Sequence, residues 1–240
     1  MTSLAIMQPY FFPYIGYFQL INLVDKWVVL DNVQHIRRGW INRNRVLSPN
    51  LDKGWRYINV NLVKNSVDAL INEMVISDTV NWKDIILGKL SYYRNIKAPY
   101  YSQTIELVRK SIRNSTNHLV TLNMSILEII TDYIGINFNY SICSQESFDL
   151  SSVSEPDDWA FEISKQMSIS TYINSIGGAS FFKKEKFLNE GINIKFLKTD
   201  EVIYKQSKRT SFVSFLSIID MLMFNSIDAI KDNLTRYELV

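Results

Sequence analysis

The chain has 240 residues, 47% hydrophobic and 21% charged, an ordinary globular make-up and long enough to bury a core without disulfide or metal staples. A net charge of only +2 argues against the strongly basic surface that binds nucleic acid or an anionic membrane. One cysteine, Cys143, and two histidines, His35 and His118, exclude an internal disulfide and a Cys/His zinc centre.

That cysteine usage fits the reducing cytosol. Met1 to Gln8 lacks the basic start, apolar core and small-residue cleavage site of a signal peptide. No apolar run approaches the roughly 20 residues that span a bilayer, so a cytoplasmic protein is expected.

In chain order, Leu4 to Met7 reads as a buried strand, which Pro9 and Pro13 bring to an end. From Tyr14 onward Ile15, Phe18, Ile21 and Leu23 recur at helical spacing, and Trp27 to Leu30 is a continuous apolar strand. Strand, turn, helix and strand within about 30 residues make a βαβ unit. Asp31 to Asn50 is polar and basic, a long loop. Trp55 to Leu62 alternates, with Ile58, Val60 and Leu62 on one face.

Three helices are predicted next, marked by Trp82 to Tyr93, Ile105 to Ile112 and Leu119 to Tyr133, the last ended by Gly135. Phe138 to Cys143 forms a short strand. Asp157 to Met167 forms a helix with Ser154 as a candidate cap and Pro156 tolerated in its first turn. Thr171 to Asn174, a Gly177-Gly178 turn, a helix over Lys183 to Asn189 and a strand over Ile192 to Leu197 form a second βαβ-like unit. A final helix is predicted from Ser211 to Phe224, with Phe212, Phe215, Leu216, Ile219 and Leu222 facing inward. The fold class is therefore α/β: a Rossmann-like sheet in a single domain over residues 1–240, with a helical insertion at about 80–135.

The first candidate site is the turn from Gln8 to Tyr17. A turn leaving the carboxyl end of a sheet strand for a helix lies where open α/β sheets bind ligands, and a helix amino end suits phosphate. Gly16 permits a close backbone approach. The spacing Tyr14-x-Gly16-Tyr17 copies the His-x-Gly-His layout of nucleotidyl-transferring Rossmann-like enzymes, with neutral phenols replacing imidazoles. Tyr10, Tyr14, Tyr17 and Gln8 crowd one short turn, and their polar groups are expensive to bury unpaired. Asp31 follows the second strand, positioned to orient a hydroxyl or act as a base if the two strands are parallel neighbours.

The second cluster is basic. Arg37, Arg38, Arg43 and Arg45 are interleaved with Trp40, Asn42 and Asn44, a composition for bidentate phosphate contacts, stacking and polar-edge recognition. His35 lies just before it, at a pKa suited to a base, though a lone histidine is more often an ordinary loop residue. His118 reads as structural, and Cys143 has no activating base beside it. Gly177 and Gly178, after Tyr172 and Asn174, offer a second backbone cradle. Tyr204 to Ser211 is a basic, hydroxyl-rich segment, and Asp220 is an acid on an apolar helix face, a site marker if buried.

Met7 to Tyr17, Asp31 with Gln34, Gly39 to Asn44, Ala98 to Tyr100, Tyr172 to Asn174 with Gly177-Gly178, and Leu216 to Asp220 together resemble the WbqC-like family over about residues 4 to 225. The resemblance implies a bacterial protein of surface-polysaccharide assembly, associated with enzymes that make nucleotide-linked amino sugars. An aromatic residue is more usual than histidine at position 35, which shifts weight to Tyr, Asp and Arg.

The expected function is a transferase acting on a nucleotide-linked or phosphorylated amino sugar, by acyl or aminoacyl transfer. Tyr14, Tyr17, Arg38 and Arg43 would hold phosphate with Gln8, Gly16, Asn42 and Asn44, while Trp40 stacks and Asp31, Tyr10 or Tyr14 handles protons. Gln34, Tyr172, Asn174, Gly177, Gly178 and Asp220 would face the substrate. The rival readings are a nucleotidyltransferase assisted by Mg²⁺ and a non-catalytic partner of a sugar-modifying enzyme. No metal site or cofactor is marked by the sequence, and neither nucleic acid nor a membrane span is expected.

Overall fold

The computed structural model describes residues 2–50, 52–113, 116–206 and 211–240. Of the basic segment Tyr204 to Ser211, Ser207, Lys208, Arg209 and Thr210 lie outside the described residues.

Strands β1 (Ser3–Met7) and β2 (Lys26–Val29) flank helix α1 (Ile15–Leu23) and pair in parallel, Leu4 with Lys26 through Met7 with Val29. A hairpin of β3 (Arg43–Leu47) and β4 (Trp55–Asn59) follows, then helices α2 (Trp82–Asn95), α3 (Tyr101–Ile112) and α4 (Leu119–Ile134). The chain returns to the sheet as β5 (Tyr140–Ile142), then α5 (Asp158–Gln166), β6 (Thr171–Ser175), α6 (Lys184–Asn189) and β7 (Asn193–Thr199). It closes with α7 (Ile218–Phe224), α8 (Ile227–Asn233) and β8 (Tyr237–Leu239).

The main sheet has the order β5-β2-β1-β6-β7-β8, parallel throughout except for β8, which runs antiparallel to β7. Counted along the chain this is 3-2-1-4-5-6, the order of the dinucleotide-binding Rossmann sheet, which reverses direction between β1 and β6. The alternation of a strand sends its side chains to two faces. Leu4 and Ile6 of β1 pack with Tyr172, Phe196 and residues of α5 and α6 such as Phe161 and Phe187. Ala5 faces the other way, toward α1 and the helices α2, α3, α4, α7 and α8. Both faces are covered, which is why β1 and β2 read as near-continuous apolar runs.

Several sequence expectations give way here. Asp31 to Asn50 is not all loop, because Arg43 to Leu47 pairs with Trp55 to Asn59. The helix expected from Ser211 begins only at Ile218, capped by Ser217, whose hydroxyl accepts from the Ile219 N–H and donates to the Phe12 carbonyl at 2.8 Å. Phe215 is consequently not inward: it is 53% exposed, in the left-handed region at φ +54°. Ser154 does not cap α5. Its N–H and hydroxyl instead donate to Asp158, the carboxylate in that helix's first turn. Gly135 ends α4 in the left-handed conformation, as its sequence position predicts.

Candidate functional site

Beyond the carboxyl end of β1 the chain turns sharply at Phe12, in the left-handed region at φ +42°. Three brackets hold this turn against the 37–45 segment. The Phe11 N–H donates to the Trp40 carbonyl at 3.0 Å. The Asn44 amide donates to the carbonyls of Phe11 and Phe12 at 3.1 and 2.9 Å, while its oxygen accepts from the Arg45 N–H. From α4, the buried Asn123 amide donates to Pro9 and Ile41 carbonyls at 2.8 and 2.7 Å. The aromatic turn and the arginine segment are thus one packed unit.

Between them opens a cavity of about 290 Å³, walled by Tyr10, Pro13, Tyr14, Trp40, Asn44 and Arg45 and closed on one side by Phe215. The Arg45 guanidinium carbon lies 5.4 Å from the Trp40 ring centre and 5.2 Å from that of Trp55. One of its terminal nitrogens donates to the Phe215 carbonyl, while its buried Nε has no partner. Burial raises the Tyr10 and Tyr14 phenols above their ordinary pKa, and for Tyr10 the neighbouring Tyr14 adds to the rise. Both are neutral hydrogen-bond donors near pH 7 and not bases. The cavity therefore offers stacking faces, hydroxyls and one guanidinium with donor capacity in reserve.

A second cavity, of about 390 Å³, borders the same stretch of chain and shares no lining residue with the first. His35, Arg37, Arg38, Asn42 and Lys64 face it. Arg38 is held in the left-handed region at φ +63°. Of the five non-glycine residues with positive φ among the described residues, Lys97 and Ser168 each follow a helix end, Phe12 makes the buried turn after β1, and Arg38 and Phe215 each line one of the two cavities. Such strain gathers at functional sites.

The model for the WbqC-like protein family matches residues 8–232. The chain belongs to the WbqC-like protein family. A relative in Mycobacterium tuberculosis (strain ATCC 25618 / H37Rv), the uncharacterized protein Rv1507c, is 25% identical over 225 residues, covering 92% of this chain and 93% of its own length. No solved structure matches.

Several residues picked from the WbqC-like sequence are held inside the protein. The Tyr17 phenol is buried and donates to the Gln8 carbonyl at 2.9 Å, so Tyr14 and Tyr17 do not face one ligand as a histidine pair would. The space beside Gly16 is filled by protein. A Cβ there would run into Thr199 Oγ1 and lie 2.5 Å from ring carbons of Tyr14. Gly16→Ala is accordingly expected to lower stability by about 1–3 kcal/mol and to shift the Tyr14 ring; an unchanged melting temperature would show that contact to be slack.

Asp31 does follow a strand parallel to β1, yet its carboxylate accepts from the Ser144 N–H and hydroxyl at 3.0 and 2.6 Å and ties down the end of β5. Arg43 turns back to the Gly39 and Arg38 carbonyls and packs its guanidinium 4.1 Å from the Tyr57 ring centre, outside both cavities. Asn42 borders the second cavity, with its amide nitrogen on the Val60 carbonyl. Gln34 reaches the Val67 carbonyl. Tyr172 is buried against Phe182 and Phe187 and accepts from Asn174, while Gly177 and Gly178 lie in a short 3-10 turn over Ile176–Phe181; none of these lines either cavity.

Asp220 is fully buried. Its carboxylate accepts from Tyr93, Tyr204 and Gln206 at 2.6, 2.6 and 2.8 Å. Tyr204, one of its donors, shares a small crevice with Tyr14 and Thr199. Burial at Cys143, aided by the charge of Asp31, pushes the thiol up to about 11, which leaves it unreactive.

Sequence reasoning grouped Arg45 with the other arginines without singling it out. The available signal was alternation: in Arg43-Asn44-Arg45-Val46, Asn44 and Val46 point inward and the two arginines outward. Phe215 has the helical spacing of a core residue and is instead a cavity wall.

Proposed function

We propose that this WbqC-like protein binds a nucleotide-linked or phosphorylated amino sugar in the aromatic cavity and serves surface-glycan synthesis as a group-transfer enzyme. The observation that carries this reading is Arg45: a guanidinium braced by two indoles, with an unpartnered buried Nε, on the wall of a cavity lined mostly by aromatic rings. A sugar or base ring stacks on Trp40, Tyr10 or Phe215 while an anionic oxygen meets Arg45. The position supports it as well, since ligands of open α/β sheets bind beyond the carboxyl ends of strands near the reversal of strand order. The Tyr10 and Tyr14 hydroxyls supply donors to sugar hydroxyls or to charge that develops during transfer. A purely scaffolding protein has no need of a cavity at Tyr14, and the residues there favour a ligand.

Calorimetry with a panel of nucleotide-linked sugars tests this. At least one is expected to bind, Arg45→Gln to weaken it by about 10- to 100-fold, and Tyr14→Phe by about 3- to 10-fold, both with melting temperatures near wild type. Folded protein that binds none of them sinks the proposal.

A further inference from the structure

The second cavity, lined by His35, Arg37, Arg38 and Asn42, has a composition of its own. Arg37, Arg38 and Lys64 face it, no carboxylate lines it, and none of the three forms an ion pair among the described residues. Behind them His35 is only 8% exposed, and its Nε2 is buried without a hydrogen-bond partner. A buried polar atom left unpaired in a native protein calls for an explanation, and beside three cations an anionic partner is one that fits. The backbone is built to hold this arrangement. The His35 N–H is fixed to the Ala69 carbonyl, Arg37 reaches across to the Asn65 carbonyl, and the strained Arg38 is braced by Arg43 on its own carbonyl.

We infer that this cavity binds a phosphate or diphosphate group of a small molecule, as a site separate from the aromatic cavity. Three cations around one opening match a multiply charged oxyanion better than a single carboxylate. His35 Nε2 lies at the back, where it donates to an oxyanion once that nitrogen is protonated. About 390 Å³ leaves room for a substituent beside the phosphate, with Asn42 and Ser66 to meet its hydroxyls. The site requires nothing of the aromatic cavity and stands whether or not that cavity takes a nucleotide-linked sugar.

His35 is also the reporter. Burial, then the charge of Arg37, lowers its pKa below the ordinary 6.5, and a bound anion opposes the second of these. With only two histidines, imidazole resonances of the full chain are readily assigned by comparison with a His118→Gln variant. Titration with inorganic phosphate and with inorganic diphosphate at low salt is expected to shift His35 saturably, to raise its pKa by about one unit, and to leave His118 unmoved. Lys64→Gln and Arg38→Gln, both at exposed positions, should each weaken diphosphate binding by about 3- to 10-fold, while Arg45→Gln leaves it unchanged. An unmoved His35 at millimolar diphosphate overturns the inference, as does binding indifferent to Lys64→Gln and Arg38→Gln. If only a nucleoside diphosphate shifts His35, and Arg45→Gln removes that shift, the oxyanion is the tail of a ligand seated in the aromatic cavity, and the separate site falls.

Discussion

Replacing Asn123 with leucine is expected to lower stability by about 2–4 kcal/mol, to reduce the melting temperature by roughly 5–15 °C, and to abolish ligand binding with it. Asn123 sits fully buried in α4, distant in sequence from both segments it holds, and one amide nitrogen donates to the carbonyls of Pro9 and Ile41. Leucine keeps the branched shape but is bulkier and offers no donor, so two buried carbonyls are left without their partner. Each costs about 1–3 kcal/mol, offset in part because the unpartnered Asn123 Oδ1 disappears as well. The effect on the site exceeds the effect on stability, since Pro9 fixes the aromatic turn and Ile41 fixes the segment carrying Trp40. Calorimetric unfolding together with ligand titration checks this. Arg45→Gln should weaken binding and keep its melting temperature, whereas Asn123→Leu should lose both. A leucine variant as stable as wild type would mean that the turn and the segment hold each other without α4.

That bracket also shows why some of the structure was readable in advance and some was not. The apolar runs Leu4–Met7 and Trp27–Leu30 announced parallel strands because both of their faces are buried, and Gly135 announced the end of α4 because the left-handed conformation favours glycine. The 211–224 stretch has helical spacing, yet Ser217 gives its N–H to the Arg45 carbonyl and its hydroxyl to Phe12, and these distant partners decide where α7 starts. Helix α8 was overlooked although Ser226, a good capping residue, accepts from the Ala229 N–H; seven residues were too few for a periodic signal.

The candidate site was legible as composition and illegible as orientation. Tyr, Arg, Trp and Asn marked two short segments that the fold does pack against each other. Which of them would face a ligand depended on pairings no local pattern carries: Tyr17 with Gln8, Asn44 with Phe11 and Phe12, Arg43 with Tyr57, Asp31 with Ser144. Alternation along β3 turns Asn44 inward, where its amide braces the aromatic turn, and Arg45 outward, and both reach the wall of the aromatic cavity.

Asp220 is expected to make the protein less stable as pH rises from about 4 to 7, by about 3 kcal/mol in all. Complete burial raises its carboxyl from 3.8 to about 6, against the opposing pull of hydrogen bonds from Tyr204, Tyr93 and Gln206. A pKa raised by folding means that the folded state holds the proton more tightly than the unfolded chain does. That contribution is complete below the unfolded value and is lost as pH climbs through the folded one. His35 works in the opposite sense, because its pKa is lowered by folding, so a raw stability profile mixes the two. The difference between wild type and Asp220→Asn isolates the carboxyl. Asparagine keeps an acceptor for Tyr204 and Gln206, and the Tyr93 hydroxyl, which already accepts from the Leu47 N–H, can turn to accept from the new amide. The advantage of wild type over Asp220→Asn should therefore be about 3 kcal/mol greater near pH 4 than near pH 7, measured by urea unfolding across that range. Parallel profiles would place the Asp220 proton outside the folding equilibrium. Asp220→Ala leaves three buried donors facing a void and should lower stability at every pH, by about 3–5 kcal/mol. Tyr204 would be released with it, and through the crevice it shares with Tyr14 that loss reaches the wall of the aromatic cavity.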